Sequence, residues 1–84
     1  MVTNLSPDII PDRTLDCFGL FCPEPVFRTR MELDRMRVGE VLEVVADDPA
    51  AKEDIKSLIK RTENELLKIS KEGDVVHFLI RKVK

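Results

Sequence analysis

Two cysteines, Cys17 and Cys22, are the only strong nucleophiles in this 84-residue chain, and they stand five residues apart. The second opens the run Cys22-Pro23-Glu24-Pro25. Its chemistry would be that of a presented thiol. Proline has a fixed φ and no N–H, and it suits the first turn of a helix, where N–H groups lack an intrahelical acceptor. The spacing therefore predicts a helix beginning at Pro23 with Cys22 at or beside its N-cap. A thiol there sits at the positive end of the helix dipole, which favours the thiolate, the form that attacks sulfur. Glu24 and the two missing proline donors oppose this, so a strongly acidified thiol is not expected. The alternative reading of Cys22 is a cysteine that only fills space near a turn.

Other residues bear less chemistry. His77 is the sole histidine, and with two cysteines it supplies at most three metal ligands at a spacing that fits no common zinc pattern. No metal is expected. Asp47 and Asp48 form a carboxylate pair, but capping a helix accounts for one of them. Arg28 and Arg30 could meet an anion or an acidic partner surface, and equally a solvated helix face accounts for them. Phe18, Phe21 and Phe27 could form an apolar rim for partner docking, the plainer expectation being that one or two complete a thin core. The basic end, Arg81 to Lys84, reads as a frayed terminus.

The elements that must position Cys22 follow from pattern. Residues 1–12 read as a flexible arm, and residues 13–84 as a single domain. Arg13–Cys17 predicts a short strand, with Gly19 supplying a turn. A helix over Pro23–Met36 carries Val26, Leu33 and Met36 on one side and exits at Val38-Gly39. The β-branched run Val41–Ala46 predicts a buried strand. Asp47-Asp48-Pro49 reads as a capping aspartate with proline at the first helical position. The helix it opens carries Ala51, Ile55, Leu58 and Ile59 as its apolar stripe. Glu65–Ser70 and Val75–Lys82 predict two strands joined by a hairpin at Lys71–Asp74. The order β-α-β-α-β-β with right-handed crossovers gives an α+β, two-layer sandwich. It consists of a mixed four-stranded sheet with two helices on one face.

Composition narrows the class. Hydrophobic residues are 43% and charged residues 36% of the chain, with net charge -2. The sequence pI of about 5.4 argues against a chain whose main task is gripping phosphate backbones, so no direct nucleic-acid binding is expected. Two cysteines are too few for a disulfide scaffold. Met1 to Pro11 lacks the basic start and apolar run of a secretory signal, and no stretch is long enough to span a bilayer. The expected setting is the reducing cytoplasm.

Gly19-Leu20-Phe21-Cys22-Pro23-Glu24-Pro25-Val26 resembles the Cys-Pro-x-Pro signature of the TusA/SirA sulfur-carrier family. Met36–Leu42 is similar to that family's loop into its second strand, and Ala46-Asp47-Asp48-Pro49-Ala50 with Asp54-Ile55 to its second helix start. The resemblance implies the same sandwich. It also implies that Cys22 accepts sulfane sulfur as a persulfide and relays it toward tRNA thiolation, molybdenum cofactor or sulfur metabolism. Gly19, Pro23, Glu24 and Pro25 support the motif, and Arg30 falls at a commonly basic family position. The implied donor is a cysteine desulfurase or a rhodanese-like protein. The implied acceptor is a DsrE-like protein or a tRNA-thiolation enzyme. No cofactor is implied, and the expected state is a monomeric carrier rather than a turnover enzyme. Cys17 departs from many relatives. It is either a resolving thiol for Cys22 or a small buried strand residue. Asn64 stands where some relatives have histidine. The competing functional readings are a regulatory interaction module and a Cys17/Cys22 redox switch.

Overall fold

A computed structural model describes residues 10–21 and 23–84. Strand β1 (Arg13–Cys17) leads through a short loop into helix α1 (Glu24–Arg35). Strand β2 (Val41–Ala46), helix α2 (Ala51–Arg61), strand β3 (Glu65–Glu72) and strand β4 (Val75–Arg81) follow. This is the expected order. The sheet runs β1-β2-β4-β3. The β1–β2 pair is parallel, while β4 pairs antiparallel with both β2 and β3. The sheet is therefore mixed, and each helix connects two parallel strands.

Alternation along the strands places the core. Leu42, Val44 and Ala46 of β2 and Val76, Phe78 and Ile80 of β4 point to one face. They pack there against Leu33 and Met36 on the α1 side and Ala51, Ile55 and Ile59 of α2. Both helices thus cover the same face, and the fold is the predicted two-layer α+β sandwich. Phe78, the only buried phenylalanine among those described, fills its centre at 0% exposure. Burying a side chain of that size contributes about 1.5–3 kcal/mol, a large share for a domain this small. The opposite face carries Glu43, His77, Ser70 and Glu72, with His77 Nδ1 3.3 Å from Glu43 Oε2.

Helix α2 departs from its expected start. Pro49 is not in the first turn: the helix begins at Ala51, its N-cap is Ala50, and no side chain caps it. Asp48 Oδ1 instead accepts the Ala50 N–H at 3.1 Å, a local turn that delays the helix by two residues. Its apolar stripe is as expected, with Ala51, Ile55, Leu58 and Ile59 all buried. At the far end Glu63 takes φ 59°. The Glu63 N–H bonds to Lys60 O and the Asn64 N–H to Ile59 O, which is the Schellman closure.

Strand β3 runs two residues longer than its pattern suggests, and its unclean alternation has a cause. The register against β4 shifts between Leu66 and Lys68. An extra residue in a strand turns later side chains to the other face. The C-terminal residues are not frayed. The Lys82 N–H donates to Glu40 O, the Gly39 N–H to Lys82 O, and Asn64 Oδ1 accepts from Val83 N. These bonds extend the β4 edge past its last ladder pair. Residues 1–9 of the expected arm lie outside the described residues. At its inner end, Asp12 N–H donates to Val41 O and Asp12 Oδ2 accepts Val41 N–H, both at 2.8 Å.

Candidate functional site

Residue 22 follows a loop built at the C-terminal edge of β1 and β2. Cys22 itself lies outside the described residues; its neighbours on both sides do not. Three successive N–H groups in the approach have acceptors. Phe18 N–H donates to Asp16 Oδ1 at 2.9 Å, Gly19 N–H to Asp47 Oδ1 at 3.0 Å, and Leu20 N–H to Cys17 O at 3.2 Å. Gly19 takes φ 74°, a conformation that costs an ordinary residue about 1–2 kcal/mol. A Cβ there would meet nothing within 4 Å, so the backbone angle and not crowding calls for glycine.

Downstream, Pro23 is the N-cap of α1 and Glu24 its first residue. The helix therefore begins one residue later than predicted, and Cys22 directly precedes the cap. Pro25 is buried and Pro23 exposed. Glu24 N–H is already bonded to Phe21 O at 2.9 Å, and Pro25 has no N–H. The helix start offers fewer free donors to an anion than its dipole alone suggests. Arg28 Nε lies 3.5 Å from Glu24 Oε2 across one helical turn. Both side chains are 54% exposed, so this pair softens the negative charge of Glu24 only modestly.

Cys17 is the last residue of β1, fully buried, paired with Ala46 of β2 and part of the same core cluster as Leu33. Burial pushes its thiol above the ordinary value, and the Arg28 charge only partly offsets this. A thiol so placed is mostly protonated and shielded at neutral pH.

The phenylalanines are a correction to the plainer expectation. Phe18, Phe21 and Phe27 are 48%, 72% and 57% exposed, and none completes the core. The loop turns the first two outward, and Phe27 sits on the outer flank of α1 while Thr29 and Leu33 take the inner one. Phe27, Met31 and Leu15 line a groove of about 480 Å³ between α1 and the open edge of β1, flanked by Arg28 and Arg35. Arg30 is exposed and lies outside this groove. The described residues contain no cluster of three His, Cys, Asp or Glu side chains fit to hold a metal. Nor do they contain a helix long and apolar enough to cross a membrane.

Sequence reasoning missed Asp47. The pair Asp47-Asp48 reads as helix-start grammar, yet Asp47 reaches away from α2 to the loop before Cys22. The one available signal was that a single cap needs one aspartate, which left the other without a task.

The family described as Sulfurtransferase TusA matches residues 13–82 of the chain. An Archaeoglobus fulgidus chain that carries the name "Putative sulfur carrier protein" is 47% identical over 73 residues, which is 86% of this chain and 95% of that one. The sulfur carrier protein TusA of Allochromatium vinosum is 44% identical over 71 residues, 84% of this chain and 93% of its own length. The crystal structure of a SirA-like protein from Desulfitobacterium hafniense superposes with a TM-score of 0.74 at 22% identity. It covers 86% of this chain and 99% of that one. That likeness concerns the fold.

Proposed function

Because the chain belongs to the TusA sulfurtransferase family, we propose that it is a sulfur carrier and that the Cys22 thiol holds the cargo. The observation that carries this reading is the tied loop at the end of the sheet, which delivers the chain to Cys22 ahead of a proline-capped helix. Its relatives' names as sulfur carriers support it.

The chemistry is persulfide exchange. The Cys22 thiolate attacks the outer sulfur of a donor persulfide. A new sulfur–sulfur bond forms on Cys22, the donor's own sulfur–sulfur bond breaks, and the donor thiolate leaves with its electron pair. Nothing is oxidised or reduced overall. The second transfer repeats the step with Cys22 as the leaving thiolate. A cysteine desulfurase or rhodanese-like protein would serve as donor in the reducing cytoplasm. A DsrE-like protein or a tRNA-thiolation enzyme would serve as acceptor. The modest donor supply at the start of α1 suits a carrier, since an overly stabilised thiolate is a poorer nucleophile. The burial of Cys17 supports Cys22 acting alone, without a resolving partner.

The test is an intact mass after incubation with a cysteine desulfurase and cysteine. Wild type gains the mass of one sulfur atom, and Cys22→Ser gains none. Equal loading of both proteins, or of neither, rejects the proposal. The exposed phenylalanines also suit an interaction module with an incidental cysteine. That reading requires a folded Cys22→Ser protein to keep full activity in complementation.

A further inference from the structure

We infer that Asp47 is a positioning residue for sulfur transfer: its carboxylate, fixed at the end of β2, holds Gly19 and thereby ties the loop Phe18–Phe21, which leads into Cys22, to the sheet. This rests on Cys22 as the carrier residue.

The three bonds that shape the loop are not equivalent. Asp16 to Phe18 and Cys17 to Leu20 are local, spanning two and three residues. They fold the turn but would travel with it. Asp47 to Gly19 joins residues 28 apart in sequence and is the bond among the three that crosses between elements. Its anchor is rigid, because Ala46, the preceding residue, is buried and pairs with both Cys17 and Val76. Its target is equally determined. Gly19 sits at φ 74°, which aims its N–H at Asp47 through a backbone conformation that other residues avoid. Cys22 lies three residues beyond. Freeing Gly19 leaves the described part of that stretch held by β1, by the partly buried Leu20 against the core, and by Phe21 O, which accepts the Glu24 N–H.

The delayed start of α2 makes this possible. Asp48 takes the local turn with Ala50, and no side chain is spent on capping the helix. The motif therefore divides its labour between two adjacent carboxylates, one for the turn into α2 and one for the loop of Cys22.

The role is that of a hydrogen-bond acceptor in a set place, so Asp47→Asn should preserve it and Asp47→Ala should not. Sulfur transfer from loaded protein to a thiol acceptor is expected to slow about tenfold in Asp47→Ala and to stay within about twofold of wild type in Asp47→Asn, since small misplacements of reacting groups carry large rate costs. Amide hydrogen exchange at Phe18–Phe21 is expected to accelerate about tenfold in Asp47→Ala alone. The pH midpoint of Cys22 alkylation should be the same in all three proteins. Wild-type transfer rates in Asp47→Ala overturn the inference. So does an Asp47→Asn protein as slow as Asp47→Ala, or a shifted alkylation midpoint in both, since either assigns the effect to charge. Should Asp47→Ala fail to fold, the Gly19 amide resonance decides. It must move with carboxylate titration in wild type and not in Asp47→Asn, and a resonance indifferent to pH in wild type rejects the contact. If wild type takes up no sulfur, the carrier reading fails instead, while the exchange data still report whether Asp47 anchors the loop.

Discussion

The Lys82 ammonium donates to the carbonyl of Leu33 in the last turn of α1, joining the C-terminal strand extension to the end of the helix. Leu33 O also accepts from Met36 N–H, so both of its lone pairs are used. A cation at a helix C-terminus meets the negative end of the dipole and here adds a second donor to a terminal carbonyl.

Lys82→Met keeps the aliphatic stem and removes the donor. Hydrogen bonds to charged groups contribute about 1.5–3 kcal/mol when well formed, and this one is partly solvated. The expected loss is about 1 kcal/mol in urea unfolding, with an unchanged m value. A Lys82→Met protein as stable as wild type would show that the tie holds nothing in solution.

Glu63→Gly should do the opposite. Glu63 holds the left-handed position of the Schellman closure at φ 59°, where glycine is the residue of choice. Its carboxylate pairs with Lys84, which lowers its pKa, but the group is fully exposed and the pair screens easily. The gain expected from relieving the backbone is roughly 0.5–1 kcal/mol after the extra flexibility of glycine in the unfolded chain. Thermal unfolding checks it, and a lower midpoint would refute it.

These two ends of helices show where reading the chain succeeded and where it did not. The helical stripe of Ala51, Ile55, Leu58 and Ile59 and the β-branched run of Val41–Ala46 were legible because burial repeats with the period of the element. Asp47, Lys82 and Glu63 were not. Each acts through a partner or a backbone angle set by tertiary closure, and of the three only Asp47 left a trace, as the second carboxylate of a pair where one cap needs one. The pair Asp47-Asp48 misled for a related reason. Helix-start chemistry and loop-anchoring chemistry use the same carboxylate, and only the position of Gly19 separates them. The phenylalanines before and on α1 misled through the thinness of the expected core. A thin core was expected to take one or two of Phe18, Phe21 and Phe27, yet Phe78 with its aliphatic neighbours already fills it. Around Cys22, the prolines correctly announced the helix, whereas the bond that spends the Glu24 N–H on Phe21 had no sequence signature.

Cys17 makes a pH prediction whose sign is fixed by its burial. The folded thiol pKa is raised above the ordinary value of 9.0, chiefly by desolvation. The folded state therefore holds the proton more tightly than the unfolded chain does. That contribution to stability is complete below the unfolded thiol pKa and is lost as pH rises from there through the folded one. Wild type should lose stability relative to Cys17→Ala as the pH climbs past about 9. At neutral pH the same substitution should cost stability, because it removes buried volume. Denaturant melts of both proteins at neutral and alkaline pH test this. A stability difference that is constant with pH would mean that the thiol is solvated.

Phe27 separates docking from folding. It is 57% exposed and lines the groove between α1 and β1, so Phe27→Ser should leave the unfolding midpoint nearly unchanged. An exposed aromatic that becomes buried against a partner behaves differently, since such anchors carry much of an interface's energy. With a desulfurase as donor, Phe27→Ser should raise the KM for loading about tenfold, corresponding to about 1.4 kcal/mol of binding, and change kcat little. Val38 is a suitable control. It is 66% exposed but lies beyond α1 and outside the groove, so Val38→Ser should load with the wild-type KM. Equal effects of the two substitutions would make the change one of general surface character. An unaffected KM in Phe27→Ser would move the docking surface away from the groove and toward the loop of Phe18 and Phe21, whose side chains face solvent on the approach to Cys22.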